Sequence, residues 1–163
     1  MIIGLLIALV VVVLDQLSKM FVFGYLAGGS SVKEVTSFFN LVAAWNTGVS
    51  FSMFNNLGGS GVYILSAFSL GVVCFLLYWL YKETSFYIRM SLGFVIGGAL
   101  GNVIDRLRIG AVFDFLDVHV GQYHWPAFNV ADSFICIGAV LIVCEGIFGL
   151  KCNKQVNLEE GDK

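Results

Sequence analysis

The sequence predicts a membrane-embedded all-α bundle of four transmembrane helices with a small β-sheet at the membrane surface. Three observations predict it: poverty in charge, four apolar runs, and two long intervening segments with strand character. Of the 163 residues, 58% are hydrophobic and 12% charged, about half the roughly 25% charged share of a soluble domain. A mean hydropathy of +0.88 fits lipid as the solvent, and a spanning helix needs about 20 mostly apolar residues.

The first run, Ile2 to about Phe23, is uncharged up to Leu14 and is then broken by Asp15 and Lys19. It opens without a basic stretch, and its small residues come after the charged pair, so it reads as a retained span rather than a cleaved leader. The segment from Gly24 to Gly61 contains "SVKEVTSFFNLVAAWNTGVSFSMF", whose Val, Phe and Thr with partial alternation favour strands. Val62 to Tyr81 carries no charge and is the clearest span. Met90 to Ile104 is shorter and rich in glycine. In the segment from Asp105 to Asp132, "AVFDFLDVHV" alternates with Val112, Asp114, Leu116 and Val118 on one face and Phe113, Phe115, Asp117 and His119 on the other. Ser133 to Leu150 is the fourth span, with Glu145 its interior charge. Residues 1–150 therefore read as one membrane domain and 151–163 as a solvated tail.

Four spans put both ends of the chain on one side. Lys82, Arg89, Lys151, Lys154 and Lys163 gather on that side, against Lys19, Lys33, Arg106 and Arg108 on the other, so both termini are expected to be cytoplasmic. The net charge of -2 says nothing about nucleic acid, and no lysine or arginine cluster points to such a partner, so none is expected. Cys74, Cys136, Cys144 and Cys152 have no metal or redox spacing and are expected to be small buried hydrophobes.

An ionisable residue inside a span is a functional candidate by default. Asp15 and Lys19 stand four apart on one helical face, either as a self-neutralising anchor or as part of a site. In "GGALGNVIDR", Gly93, Gly97 and Gly101 form a ridge for close helix contact. Asn102 and Arg106 are expected to continue that face, and Arg106 could pair with Asp105 or hold a carboxylate or carbonyl elsewhere. In "PAFNVADS", Asn129 is a good N-cap and Asp132 a first-turn acid. Taken alone, Asp132 is a capping carboxylate. Its company changes that reading, because Asp114 also stands between apolar neighbours on the preceding strand.

Two carboxyls in one site of low dielectric share a proton. The ionised partner can take a proton from water while the protonated one polarises a carbonyl. Such a pair hydrolyses peptides with no cofactor and no metal. His119 and His124 lack the spacing of a zinc protease, and there is no Gly-x-Ser-x-Gly elbow. Asp132, near a helix N-terminus, is expected to be the ionised partner, leaving the proton mainly on Asp114.

Five motifs, "DQLSK" from Asp15, "NTGVSFS" from Asn46, "GNVIDR" from Gly101, "VFDF" from Val112 and "FNVADS" from Phe128, resemble those of the lipoprotein signal peptidases (signal peptidase II), bacterial membrane aspartic peptidases. The resemblance covers nearly the whole chain to Leu150. It implies an enzyme that removes the signal peptide of a prolipoprotein by cutting just before its diacylglyceryl-modified cysteine. It further implies Asp114 and Asp132 as the catalytic pair, with Asp15, Lys19, Asn46, Gly48, Asn102, Arg106 and Asn129 shaping the site and holding substrate backbone. The implied fold adds an extracytoplasmic β-cradle and a short amphipathic helix around Ser50 to Leu57. The implied partners are the lipidated precursor, membrane lipid and globomycin-type inhibitors, and the implied setting is a monomer in the bacterial inner membrane with its site near the outer face. Phe113, Phe115, Trp125 and Phe128 are expected to wall that site, and Asp117 to be a solvated or sheet-edge charge. A small transporter would spread charges through the membrane depth, and a purely structural subunit would leave the paired aspartates unexplained.

Overall fold

A computed structural model describes residues 1–28, 31–48 and 60–160, with residues 60 and 148–160 described as backbone only. The elements run α1 (Ile2–Leu26), β1 (Val32–Thr36), β2 (Phe39–Asn46), α2 (Ser60–Lys82), α3 (Phe86–Ile109), β3 (Val112–Val120), β4 (Tyr123–His124) and α4 (Val130–Glu160). All four helices are long and apolar enough to cross a membrane. At a rise of 1.5 Å per residue, the 22-residue stretch Gly61–Lys82 exceeds a hydrocarbon core of about 30 Å. The amphipathic helix expected around Ser50 to Leu57 lies outside the described residues.

Helix α3 is the centre of the bundle. Half of its span is buried, against 28% for α1 and less for the other two. Its glycine ridge explains the packing. A Cβ at Gly93 would stand 2.6 Å from the Gly4 carbonyl oxygen, and one at Gly97 2.6 Å from that of Ala8. Helix α1 answers with a stripe at Gly4, Ala8, Val11, Asp15, Lys19, Val22 and Leu26, so small residues let the two backbones touch. Gly98 and Gly138 give α4 the same close approach on the other flank. Large apolar side chains such as Leu9, Phe21, Phe68 and Val140 point outward, as expected where lipid is the solvent.

Cys74, Cys136 and Cys144 also lie on the outside. The expectation of buried thiols is therefore corrected: these cysteines decorate outward helix faces, where a small apolar side chain needs no protein partner.

The four strands form one antiparallel sheet in the order β1-β2-β3-β4. Its core is the first half of β3, which is buried on both faces from Val112 to Phe115. Phe113 and Phe115 pack with Val22 and Leu26 at the end of α1. They back the strand on the face opposite Asp114, and Trp125 is 69% exposed. The expectation that Phe113 and Phe115 wall the carboxylates is corrected by this packing against α1. A register shift in β2 between Leu41 and Ala44 falls beside the Ala44–Asp114 pair, a common position for a bulge that re-aims a side chain.

Candidate active site

The site forms where the ends of α1 and α3 meet β3 and the start of α4. Phe128 is stitched to β3 by backbone hydrogen bonds, its oxygen accepting from the Phe115 and Leu116 amides at 3.0 and 2.8 Å. That bridge puts the next residue, Asn129, beside Asp114. Asn129 then caps α4: its side-chain oxygen accepts from the Asp132 amide at 2.9 Å, and Asp132 Oδ2 accepts from the Asn129 amide at 3.3 Å. The pattern is a reciprocal capping box. The bland reading of Asp132 is thus correct as far as it goes, yet only one carboxylate oxygen is occupied by the cap.

The other oxygen joins a polar chain. Asn102 Nδ2 donates to Asp132 Oδ1 at 2.8 Å, and Asn129 Nδ2 donates to Asn102 Oδ1 at 3.2 Å and to Asp114 Oδ1 at 2.6 Å. Asn46 Nδ2 donates to Asp114 Oδ2 at 3.0 Å. Two asparagine amides therefore connect the strand-borne and helix-borne carboxyls. Asp114 is 2% exposed, whereas Asp132 is only half-buried. Burial, reinforced by the nearby charge of Asp132, pushes the Asp114 carboxyl up from 3.8 to about 6, against the pull of the Asn46 and Asn129 hydrogen bonds.

A buried ionic layer lies beneath. Lys19 Nζ stands 2.8 Å from both Asp15 Oδ2 and Asp105 Oδ2, and donates to Asn102 Oδ1 at 3.2 Å. Asp15 Oδ1 accepts from the Ala131 amide at 2.9 Å, tying α1 to the first turn of α4. Gly101 makes this possible, since a Cβ there would sit 2.6 Å from Asp15 Oδ2. Gln16 Nε2 donates to Asp105 Oδ1 at 2.9 Å. Buried charges need this degree of pairing to be tolerated.

Gly48 takes a left-handed φ of 77°, and its amide donates to Asn46 Oδ1 at 2.8 Å. The turn fixes the asparagine that reaches Asp114, and a side chain at 48 would also strike Leu65. Arg106 extends from the last turn of α3, where Asp132, Asp114 and Asp105 act on it electrostatically. Its Nε is buried and has no hydrogen-bond partner among the described residues. It makes no salt bridge among the described residues, because Asp105 is already committed to Lys19.

All nine residues singled out in the sequence thus meet in one region. Two that were not, Gln16 and Asp105, complete the ionic layer. The signal for Asp105 was present: it lies four residues after Gly101 and is the true continuation of the 93–97–101 ridge. Asp117, expected to be a solvated or sheet-edge charge, is a further correction. It is buried, accepting from Asn40 Nδ2 at 2.9 Å and facing His124 Nδ1 at 2.9 Å.

Four apolar spans around a buried polar site define a multi-pass membrane enzyme. Two solved bacterial membrane enzymes share the architecture. One, determined by the in meso method at 2.3 Å, has a TM-score of 0.75 and 29% identity, covering 93% of this chain and 90% of its own. The other, at 1.9 Å, has a TM-score of 0.74 and 28% identity, covering 86% and 90%. Residues 7–148 match the sequence profile of signal peptidase II. A lipoprotein signal peptidase of Janthinobacterium sp. is 46% identical over 84% of this chain and 83% of its own length. One of Teredinibacter turnerae is 41% identical over 91% and 89%. The chain belongs to the signal peptidase II family of aspartic peptidases.

Proposed function

We propose that the protein is an intramembrane endopeptidase that releases the signal peptide of diacylglyceryl-modified prolipoproteins, cutting just before the lipidated cysteine, with Asp114 and Asp132 activating water. The observation that carries this reading is the pair of carboxyls joined through Asn102 and Asn129, one deeply buried and one open to the site. Asp132, at the positive end of α4, takes a proton from water as the oxygen attacks the scissile carbonyl. Asp114 gives its proton to the carbonyl oxygen, so no full oxyanion forms. As the resulting gem-diol collapses, the C–N bond breaks, the leaving amine takes the proton from Asp132, and Asp114 recovers one from a gem-diol hydroxyl. Arg106, whose buried Nε has no partner among the described residues, is suited to donate to substrate carbonyls.

The charge pattern of the loops supports a site near the outer face and cytoplasmic termini. Residues 1–150 act as one membrane domain, with 151–163 as a cytoplasmic tail. The chain works as a monomer in the inner membrane of a bacterium, and globomycin-type inhibitors occupy the same cleft. Incubating the purified chain with a lipidated precursor tests the reading. Fragment masses should place the new N-terminus at the lipidated cysteine, with the unlipidated precursor left uncut. A cut elsewhere, or equal cutting of both precursors, contradicts it.

A further inference from the structure

Behind the sheet lies a cleft of about 240 Å³ that the peptidase chemistry does not use. Its floor is Gln16, Lys19 and Asp105, and its roof is an aromatic trio. Phe23, Trp45 and Phe113 have ring centroids 5.0 to 5.9 Å apart. Phe113 and Trp45 are cross-strand partners on the sheet face opposite Asp114 and Asn46. The Lys19–Asn102 hydrogen bond lies between this space and Asp132.

The mouth opens sideways between α1 and α3. Met20 and Ile109 line it, 66% and 55% exposed, an arrangement suited to contact with hydrocarbon. Arg108, in the last turn of α3, stands at the same rim. It is exposed and makes no salt bridge among the described residues. The charge of Asp105 is already met by Lys19 at 2.8 Å and Gln16 at 2.9 Å, so Arg108 remains available to an incoming anion.

We propose that this cleft is a binding site for an anionic phospholipid, its phosphate on Arg108 and the start of one acyl chain beneath the Phe23–Trp45–Phe113 roof. The volume falls below the roughly 300–1,000 Å³ of a drug-sized site, which suits the glycerol end of one chain rather than a whole lipid. Charge complementarity selects the anionic headgroup, and the membrane spans on both sides supply the hydrocarbon setting. On the proposed function, the scissile bond lies with Asp114 and Asn46 on the other face of the sheet, so this cleft is assigned to a lipid separate from the substrate's own.

Trp45 reports on the occupant directly. The full chain carrying Trp79→Phe and Trp125→Phe keeps Trp45 as its single tryptophan. It is reconstituted in phosphatidylcholine vesicles containing graded amounts of brominated phosphatidylglycerol or brominated phosphatidylcholine. Half-maximal quenching should need about fivefold less of the anionic lipid, the ratio one interfacial cation supplies. Arg108→Gln should bring the two curves together, while Arg108→Lys should keep most of the preference. Coincident curves in the parent, or a preference that survives Arg108→Gln, overturns the proposal. So does relief of quenching by a lipidated prolipoprotein, which would make the cleft the substrate's lipid subsite.

Discussion

Replacing Asp114 by asparagine is expected to abolish turnover and yet stabilise the fold at neutral and alkaline pH. In the unfolded chain this carboxyl ionises near 3.9, whereas in the fold it holds its proton to about 6. Between those values the folded state binds the extra proton, so stability falls as pH rises, and the deficit is complete above about pH 7. The rise from 3.8 to about 6 corresponds to about 3 kcal/mol once the group is fully ionised. Asparagine avoids that term but cannot accept from both Asn46 and Asn129, a loss of about 1 kcal/mol. The net is near parity at pH 4.5, where about 1 kcal/mol of the deficit has developed, and about 2 kcal/mol in favour of the variant at pH 8. For a chain of this size that means a Tm gain of about 4–8 °C at pH 8. Thermal unfolding of both proteins in detergent at the two pH values measures it. An identical Tm difference at pH 4.5 and pH 8 would refute the assignment of a raised, buried carboxyl to Asp114.

Other outcomes follow from the same geometry. With Asp114 as the proton donor, kcat/KM should decline as pH rises through about 6, while kcat holds to higher pH because bound substrate deepens the burial; a profile flat from pH 5 to 8 would count against the donor role. Gly101→Ala pushes a methyl group to within 2.6 Å of Asp15 Oδ2 and should lower stability by about 1–3 kcal/mol, whereas Gly71→Ala, with nothing within 4 Å, should do no harm; unfolding midpoints compare the two. Lys19→Met leaves Asp15 and Asp105 facing each other without their cation and should destabilise by about 3–5 kcal/mol, part of which Asp105→Asn should restore in the double variant. Asp117 is held below the usual carboxylate range: burial opposes its charge, but hydrogen bonds from His124 and Asn40 more than offset this. Its contribution is present above about pH 4 and lost in stronger acid, so protection of the Trp125 amide, which donates to Val118, should fall below pH 4 in hydrogen exchange.

The spans were legible because lipid demands long apolar runs, and each was found. Their ends were less so. The third span reads as Met90 to Ile104 on apolarity, but α3 continues to Ile109 because the fold neutralises Asp105 with Lys19 and turns Arg106 towards the site. The fourth begins at Val130, three residues early, since Asp132 is paired with its cap rather than excluded from the helix. Local patterns likewise exposed the glycine ridge and the Asn129 cap. What sequence alone left open were pairings across distance. Asp117 looks solvated until Asn40, 77 residues away, is brought beside it, and Arg106 looks like a partner for Asp105 until Lys19 arrives from α1. Strand alternation placed Phe113 and Phe115 opposite Asp114, but only the packing on Val22 and Leu26 shows that they back the strand.

Single-turnover cleavage of one lipidated precursor by the parent chain, Asp114→Asn, Asp132→Asn and Asp117→Asn tests the shared role of the two carboxyls most directly. The first two variants should each lose at least ~10²–10⁴ in rate, while Asp117→Asn, three residues along the same strand, stays within a few-fold of the parent. Cleavage by either Asp114→Asn or Asp132→Asn at a rate close to the parent's would contradict the account, as would an equal loss in all three.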